Sequence, residues 1–240
     1  VEAVPRILLE RGQMLGLLER YDLALLDLDA AGALLEKLNI PDPRLDFHLR
    51  LCRAQALIAM RRPAPALEEL QALHRKQPGH VDILRLRAQA LEELGRYEEA
   101  IAELREAILA RAKSPYVYNH LAWLLATARS PDARAPEEAL RLARKAAALD
   151  GHRSPAILDT LAEACYVNRD FEGAVTYETL AVERGGTIYQ PSLDRFLEAR
   201  SRKRAGEPVA LTDSPLVDHG KLPRVRTDAP LDLEGMPAAA

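Results

Sequence analysis

Aromatic residues make up only 5% of this chain, and cysteine occurs just twice in 240 residues, as Cys52 and Cys165. Val, Ile and aromatic side chains, the residues that fill pleated sheets, are sparse, and the composition argues against a sheet domain of any size. Two cysteines support no disulfide framework and leave the redox compartment open. Charge of one sign is missing too. With 33 basic and 36 acidic residues the formal net charge is −3, too even a balance for the basic face by which nucleic-acid binders gather phosphate. No apolar run reaches the roughly 18 to 20 residues that cross a bilayer, and no charged-then-apolar signal pattern opens the chain. HExxH, CxxC, CxxCH, GxSxG and a phosphate-cradling glycine loop are all absent from the sequence. That removes the common routes to hydrolysis, redox and nucleotide chemistry. We therefore expect no catalytic residues, no metal site and no cofactor.

What the chain has instead is Leu, Ala, Arg and Glu, strong helix formers, within a hydrophobic content of 48%. Its core must be built from Leu and Ala on packed helices. Small residues recur at a fixed spacing. Leu94-Gly95-Arg96-Tyr97-Glu98-Glu99-Ala100, followed by Ala107, places an aromatic residue three before one Ala and that Ala seven before another. A unit set at 81–114 has Ala88 at its eighth position. Stepping back 34 residues gives 47–80, with Ala54, Leu57, Ala66, Leu70 and a closing Pro78. Gly12, Tyr21, Ala24, Leu28 and Ala31 fit a unit at 5–38, followed by a connection that holds Pro41 and Pro43. Tyr118, Leu121, Ala122 and Leu125 begin a unit at 115–153. There Ala139, Ala143 and Ala146 arrive five residues late, so its interhelical loop is longer. Within it, Pro136 followed by Glu137 and Glu138 marks a helix start. A last unit spans 155–188, with Leu158, Leu161, Ala162, Phe171, Ala174 and Ala181.

The pattern over residues 5–188 resembles the tetratricopeptide repeat, in which small residues let the two helices of each unit approach closely. The resemblance implies an all-α, right-handed superhelical solenoid of about five helix-turn-helix units over residues 1–188. In that register Cys52 and Cys165 are too far apart to bond. Departures are Arg11, Arg50, Arg53 and Arg87 at positions that are often apolar, and Pro63 where the second unit should have its aromatic residue. The wording NHLAWLLAT, then EEALRLARKAAALD, then LDTLAEA is similar to a variant common in large bacterial repeat proteins, which implies a bacterial source.

Beyond the repeats, Pro191-Ser192-Leu193 opens a short helix within 189–205, with Ser192 as its N-cap and Leu193, Phe196 and Leu197 on one face. A solenoid needs such a cap over its last apolar edge. Arg200, Arg202, Lys203 and Arg204 in its last turn would either touch phosphate or favour the helix dipole. Residues 206–240 carry five prolines at seven- or eight-residue intervals and no helical period, and read as an extended tail lying on this protein's own surface or on a neighbour. The tail holds six acidic against three basic residues, a further argument against nucleic acid.

In a solenoid of this kind positions two, five, nine and twelve of each first helix line a concave groove. They select Gln13, His48, Gln55, Asp82, Arg85, Gln89, Tyr116, Asn119, Trp123, Asp159, Glu163 and Tyr166. Tyr116, Asn119 and Trp123 share one helical face and offer flat apolar area plus an amide; packing of Trp123 into the core is the competing reading. Asp159 and Glu163, one turn apart, have no His or Cys at ligand spacing and read as a surface for a basic partner rather than as an acid–base or metal pair. His74 and His80 bracket a polar turn between repeats and suggest no metal. Some members of the family grip chaperone C-termini with Lys and Asn in the first repeat and Lys and Arg further on. The matching positions here hold Leu9 with Gln13, Leu51 with Gln55 and Arg85 with Gln89, so that specificity is not carried over.

The functional expectation is a non-enzymatic scaffold or assembly subunit that holds protein partners in its groove and through its tail, within a multi-subunit complex. One alternative is the regulatory or substrate-presenting module of an enzyme whose catalytic domain lies outside this chain. Another is self-association, the tail of one copy in the groove of the next. The missing initiator Met points to a cleaved or omitted upstream segment and leans toward a bacterial periplasm or envelope.

Overall fold

A computed structural model describes residues 3–110 and 113–212. Among these residues the chain is entirely helical. The helices are α1 (Val4–Leu17), α2 (Tyr21–Lys37), α3 (Pro43–Ala59), α4 (Pro63–Lys76), α5 (Val81–Glu93), α6 (Tyr97–Leu109), α7 (Pro115–Thr127), α8 (Pro136–Asp150), α9 (Pro155–Val167), α10 (Phe171–Gly185) and α11 (Gln190–Arg204). Five of them begin on proline, whose fixed φ suits the first helical residue and whose missing N–H costs nothing there. Pro63, the residue without its expected aromatic, is one of these helix starts.

The helices form two compact units, α1–α6 and α7–α11. In the first, α1 packs on α2, α3 on α4 and α5 on α6, while α1, α3 and α5 also touch one another in order. In the second, α7 packs on α8, α9 on α10 and α10 on α11, with α7 against α9. This is the contact order of stacked helix pairs.

Small residues set the approach of the paired helices. Ala54, Ala88, Ala122 and Ala162, each eighth in its repeat, are fully buried, as are Ala66, Ala100 and Ala174 on the second helices. In the first repeat the eighth residue is Gly12, where an added Cβ would come within 3.0 Å of the Leu28 side chain. Between these contacts Leu28, Leu70 and Leu104 are sealed from water, each contributing about 1.5–3 kcal/mol.

The turn inside each repeat has one recurring geometry. Glu19, Arg61, Gly95 and Arg169, all fifteenth in their repeats, take φ of 60°, 59°, 74° and 62°. The following N–H then reaches back to a helix carbonyl: Arg20 to Leu15 at 2.8 Å, and Arg62 to Leu57, Arg96 to Leu91 and Asp170 to Cys165 at 2.9 Å each. This left-handed closure satisfies carbonyls that a helix end leaves open. The fourth repeat differs. There a 3-10 turn at Pro131–Ala133 fills a longer loop, tied down by Arg134 Nε donating to the Ala128 carbonyl at 2.6 Å.

The arginines at otherwise apolar positions are each ion-paired. Arg11 meets Asp27 at 2.5 Å, Arg53 lies 3.4 Å from Glu69 and 3.0 Å from Asp29, Arg87 meets Glu103 at 2.9 Å, and Arg50 pairs with Asp46 at 2.8 Å.

The cap differs locally from its sequence reading. Ser192 is not an N-cap but lies buried inside α11. The chain turns at Gly186 (φ 84°), and a 3-10 turn at Thr187–Tyr189 runs directly into the helix, so α11 starts three residues earlier than a Ser192 cap implies. Its buried face is Ser192, Phe196 and Ala199. Most of the expected extended tail, residues 213–240, lies outside the described residues.

Candidate functional site

In the first unit the candidate groove positions fall on α1, α3 and α5. Gln13, Gln55 and Gln89 occupy the ninth position of three successive repeats, on helices that touch in order, and all three are half-exposed. Gln13 Nε2 reaches Cys52 Sγ at 3.5 Å. Burial pushes the Cys52 thiol up to about 11, partly offset by that contact, so the sulfur is a packing group and not a nucleophile. His48 and Asp82 are half-exposed, and the His48 ring meets Phe47 edge-on at 5.8 Å. Burial holds His48 below the ordinary imidazole range. Arg85 is buried, 3.8 Å from Asp82; burial lowers its pKa, with Asp82 opposing.

In the second unit the aromatic group expected to face a partner is split. Tyr116 is half-exposed. Asn119 is only 4% exposed, and among the described residues no donor reaches its Oδ1. Trp123 is buried with Leu158, Ala181 and Tyr189, and Tyr177, Leu180 and Val182 pack around that cluster. Its area is spent inside the unit.

Asp159 and Glu163 are both 2% exposed. The basic group that meets Glu163 comes from the chain itself: Arg195 of α11 donates its Nη2 to Glu163 Oε2. Asp159 is paired with a residue that sequence reasoning missed, Glu178 of α10, which is wholly buried. No donor among the described residues reaches Asp159 Oδ1 or either Glu178 oxygen, and the two buried carboxyls act on each other electrostatically. Burial, and then the neighbouring carboxylates, push both groups well above the carboxylate range, while Arg195 pulls them down. Burial and the same two carboxyls also raise the Tyr189 phenol. The signal was present in the register. Glu178 stands where three earlier repeats bury Leu28, Leu70 and Leu104, so a carboxylate interrupts the apolar stripe Phe171, Ala174, Ala181.

Tyr166, the last groove candidate, is 1% exposed and lies between the rings of Phe171 (5.7 Å) and Phe196 (5.0 Å). The Arg195 guanidinium stacks over it at 4.4 Å. The hydroxyl of Tyr166 meets the chain's own segment after α11: it accepts from the Thr212 N–H at 3.1 Å and lies 3.4 Å from the Thr212 hydroxyl. The basic end of α11 meets protein groups. Arg200 and Arg204 reach Glu172 at 3.6 and 2.7 Å, Arg202 reaches Glu198 at 2.8 Å, and Lys203 lies 5.4 Å from the Phe171 ring centre. Among the described residues no group of three or more His, Cys, Asp and Glu is placed to hold a metal ion, and no helix is long and apolar enough to cross a membrane.

Stacked helix pairs with small residues at fixed repeat positions define a helical-repeat protein whose class binds other proteins through its helix faces. Residues 52–117 match the family model of the tetratricopeptide repeat. The fold of the chain is that of solved tetratricopeptide-repeat proteins. A thermophilic repeat protein of Thermus thermophilus, TTC0263, is 20% identical with a TM-score of 0.63, covering 82% of this chain and 99% of that one. Pseudomonas aeruginosa pilF is 20% identical with a TM-score of 0.62, covering 85% and 89%. Yeast Tom70 is also 20% identical with a TM-score of 0.63, covering 85% of this chain and 41% of that longer one. No curated protein sequence matches the chain.

Proposed function

We propose that this protein is a non-enzymatic scaffold or assembly subunit that holds an extended segment of a partner protein along its first helices, within a larger complex. The observation that carries this reading is the row Gln13, Gln55 and Gln89, one amide per repeat on adjoining helices. A side-chain amide both donates and accepts, and can satisfy the N–H and C=O of a peptide main chain. Repetition at one repeat position turns single contacts into a track. Asp82 and Arg85 add charge within the same unit, and the half-exposed His48 adds a further donor; in the second unit the half-exposed Tyr116 offers a ring of its own. The buried positions Asn119, Trp123, Asp159, Glu163 and Tyr166 would support the second unit's own helix faces from within.

The test is affinity purification of the full chain from its native source, with mass spectrometry, beside a variant carrying Gln13→Ala, Gln55→Ala and Gln89→Ala. A stoichiometric protein that is lost with the three amides, at unchanged helix content, supports the reading. Equal recovery by both forms removes the amide row from the contact. A chain that co-purifies only with itself makes the scaffold reading untenable in favour of self-association.

A further inference from the structure

The segment after α11 lies on the second unit in a particular way. Gly206, with φ of 73°, closes α11, and the Glu207 N–H returns to the Arg202 carbonyl at 2.9 Å, so the chain reverses and runs back along the unit. Pro208 holds the next step extended. From there the unit touches mainly main-chain atoms. Arg169 Nη1 donates to the Val209 carbonyl at 3.2 Å, Arg195 Nη1 donates to the Thr212 carbonyl at 2.7 Å, and Tyr166 accepts the Thr212 N–H at 3.1 Å. Both polar atoms of one residue's main chain are thereby held. Among the described residues the Thr212 hydroxyl, 3.4 Å from Tyr166, is the one side chain of the segment seen in such a contact. Val209 is half-buried, and the other side chains from Glu207 to Thr212 are exposed.

Two of the three holding groups, Arg195 and Tyr166, are fixed independently of the segment. Glu163 anchors the second nitrogen of Arg195, whose guanidinium stacks on Tyr166 and lies 4.7 Å from the Phe196 ring centre. Tyr166 is itself wedged between Phe171 and Phe196. A rigid set of donors and acceptors aimed at main-chain atoms loses little freedom on binding and does not depend on the ligand's sequence.

From this we infer that Tyr166, Arg169 and Arg195 form a clamp for an extended peptide main chain, and that residues 207–212 are its tethered occupant. A partner's extended segment binds there only by displacing them. The inference deepens the scaffold reading and rests on it for its biological use, but it concerns the second unit and not the amide row of the first. Tethering gives the segment an effective concentration on the order of millimolar. An outside peptide making the same contacts is then strongly disfavoured, until the segment is drawn away or weakened.

The test uses isotope-labelled full-length protein and one probe, a synthetic peptide of residues 205–213 capped at both ends. In the wild type and in Thr212→Pro, which removes the N–H given to Tyr166, amide signals of Tyr166, Arg169 and Arg195 are followed by NMR as peptide is added. Thr212→Pro is expected to shift those signals on its own as the segment leaves. It should then bind the peptide about tenfold or more tightly than the wild type does. Adding Tyr166→Phe, which keeps the ring between its aromatic neighbours, should weaken that binding. Three results would overturn the inference: a segment that stays in place in Thr212→Pro, peptide binding equal in both forms, or a released clamp that takes up no peptide. None of these bears on the amide-row pull-down, so the two readings fail separately.

Discussion

Arg87 on α5 and Glu103 on α6 meet at 2.9 Å with side chains only 13% and 14% exposed, and the same sixteen-residue separation joins Arg11 to Asp27 and Arg53 to Glu69. Three repeats thus carry a cross-helix ion pair where the repeat pattern more often places apolar residues. Burial raises the Glu103 carboxyl and Arg87 opposes it, whereas the hydrogen bonds from Arg11 lower Asp27. The hydrogen bonds from Arg11 decide the sign at Asp27 and burial decides it at Glu103.

Removing one member of the deepest pair leaves the other uncompensated. Arg87→Met is expected to cost about 3 kcal/mol, while Arg87→Met with Glu103→Leu should recover most of it. Urea unfolding of the two single variants and the double variant measures this. Additive losses would mean that the pair carries no coupling.

The raised carboxyls of Asp159 and Glu178 make stability depend on pH. Asp159 is raised from 3.8 to about 8, and Glu178 is raised as well. Between the unfolded and folded values the native state holds protons that the unfolded chain releases. Stability is therefore full in the acid range and falls as pH rises through neutrality, by up to about 1.4 kcal/mol per pH unit and group. Below about pH 4 Asp27 works in the opposite sense, since its lowered carboxyl loses its ion pair on protonation. Asp159→Asn with Glu178→Gln should flatten the decline between about pH 5 and about pH 8, read as the urea midpoint across that range. A wild-type midpoint that rises over this interval would show the carboxyls to be ionised in the fold.

Left-handed backbone at Glu19 and Arg61 is strained for residues with a Cβ, and glycine relieves it. Glu19→Gly and Arg61→Gly should each stabilise the protein by about 0.5–1 kcal/mol, and Gly95→Ala should destabilise it by about 1 kcal/mol. Thermal unfolding of the three variants orders them. Destabilisation by Glu19→Gly and Arg61→Gly would show that chain entropy outweighs the strain.

Trp123 fills the contact around Leu158, Ala181 and Tyr189, so Trp123→Ala should cost about 3–5 kcal/mol. Calorimetry gives the loss directly. A variant of unchanged stability would return Trp123 to the partner-binding face.

How far the sequence could be read followed from which interactions are periodic. Helix content follows from composition, and helix pairing from small residues at fixed intervals, because Ala54, Ala88 and Ala162 do the same steric work in every repeat. The ion pairs were legible as well, had the sixteen-residue recurrence of Arg and acid been sought. The end of the chain was less so: Ser192 reads as a cap by type, yet the 3-10 turn before it makes a cap unnecessary.

By itself the sequence determined an all-helical protein of stacked pairs, since those features depend on neighbours within one repeat. Tertiary structure alone decided which groove candidates face water. Trp123 is covered by residues from α9 and α10, Glu163 is met by an arginine 32 positions away, and the Tyr166 hydroxyl is engaged by a segment 46 positions away. The last two contacts come from elements that obey no repeat, the cap and the segment after it, so no period in the sequence encodes them.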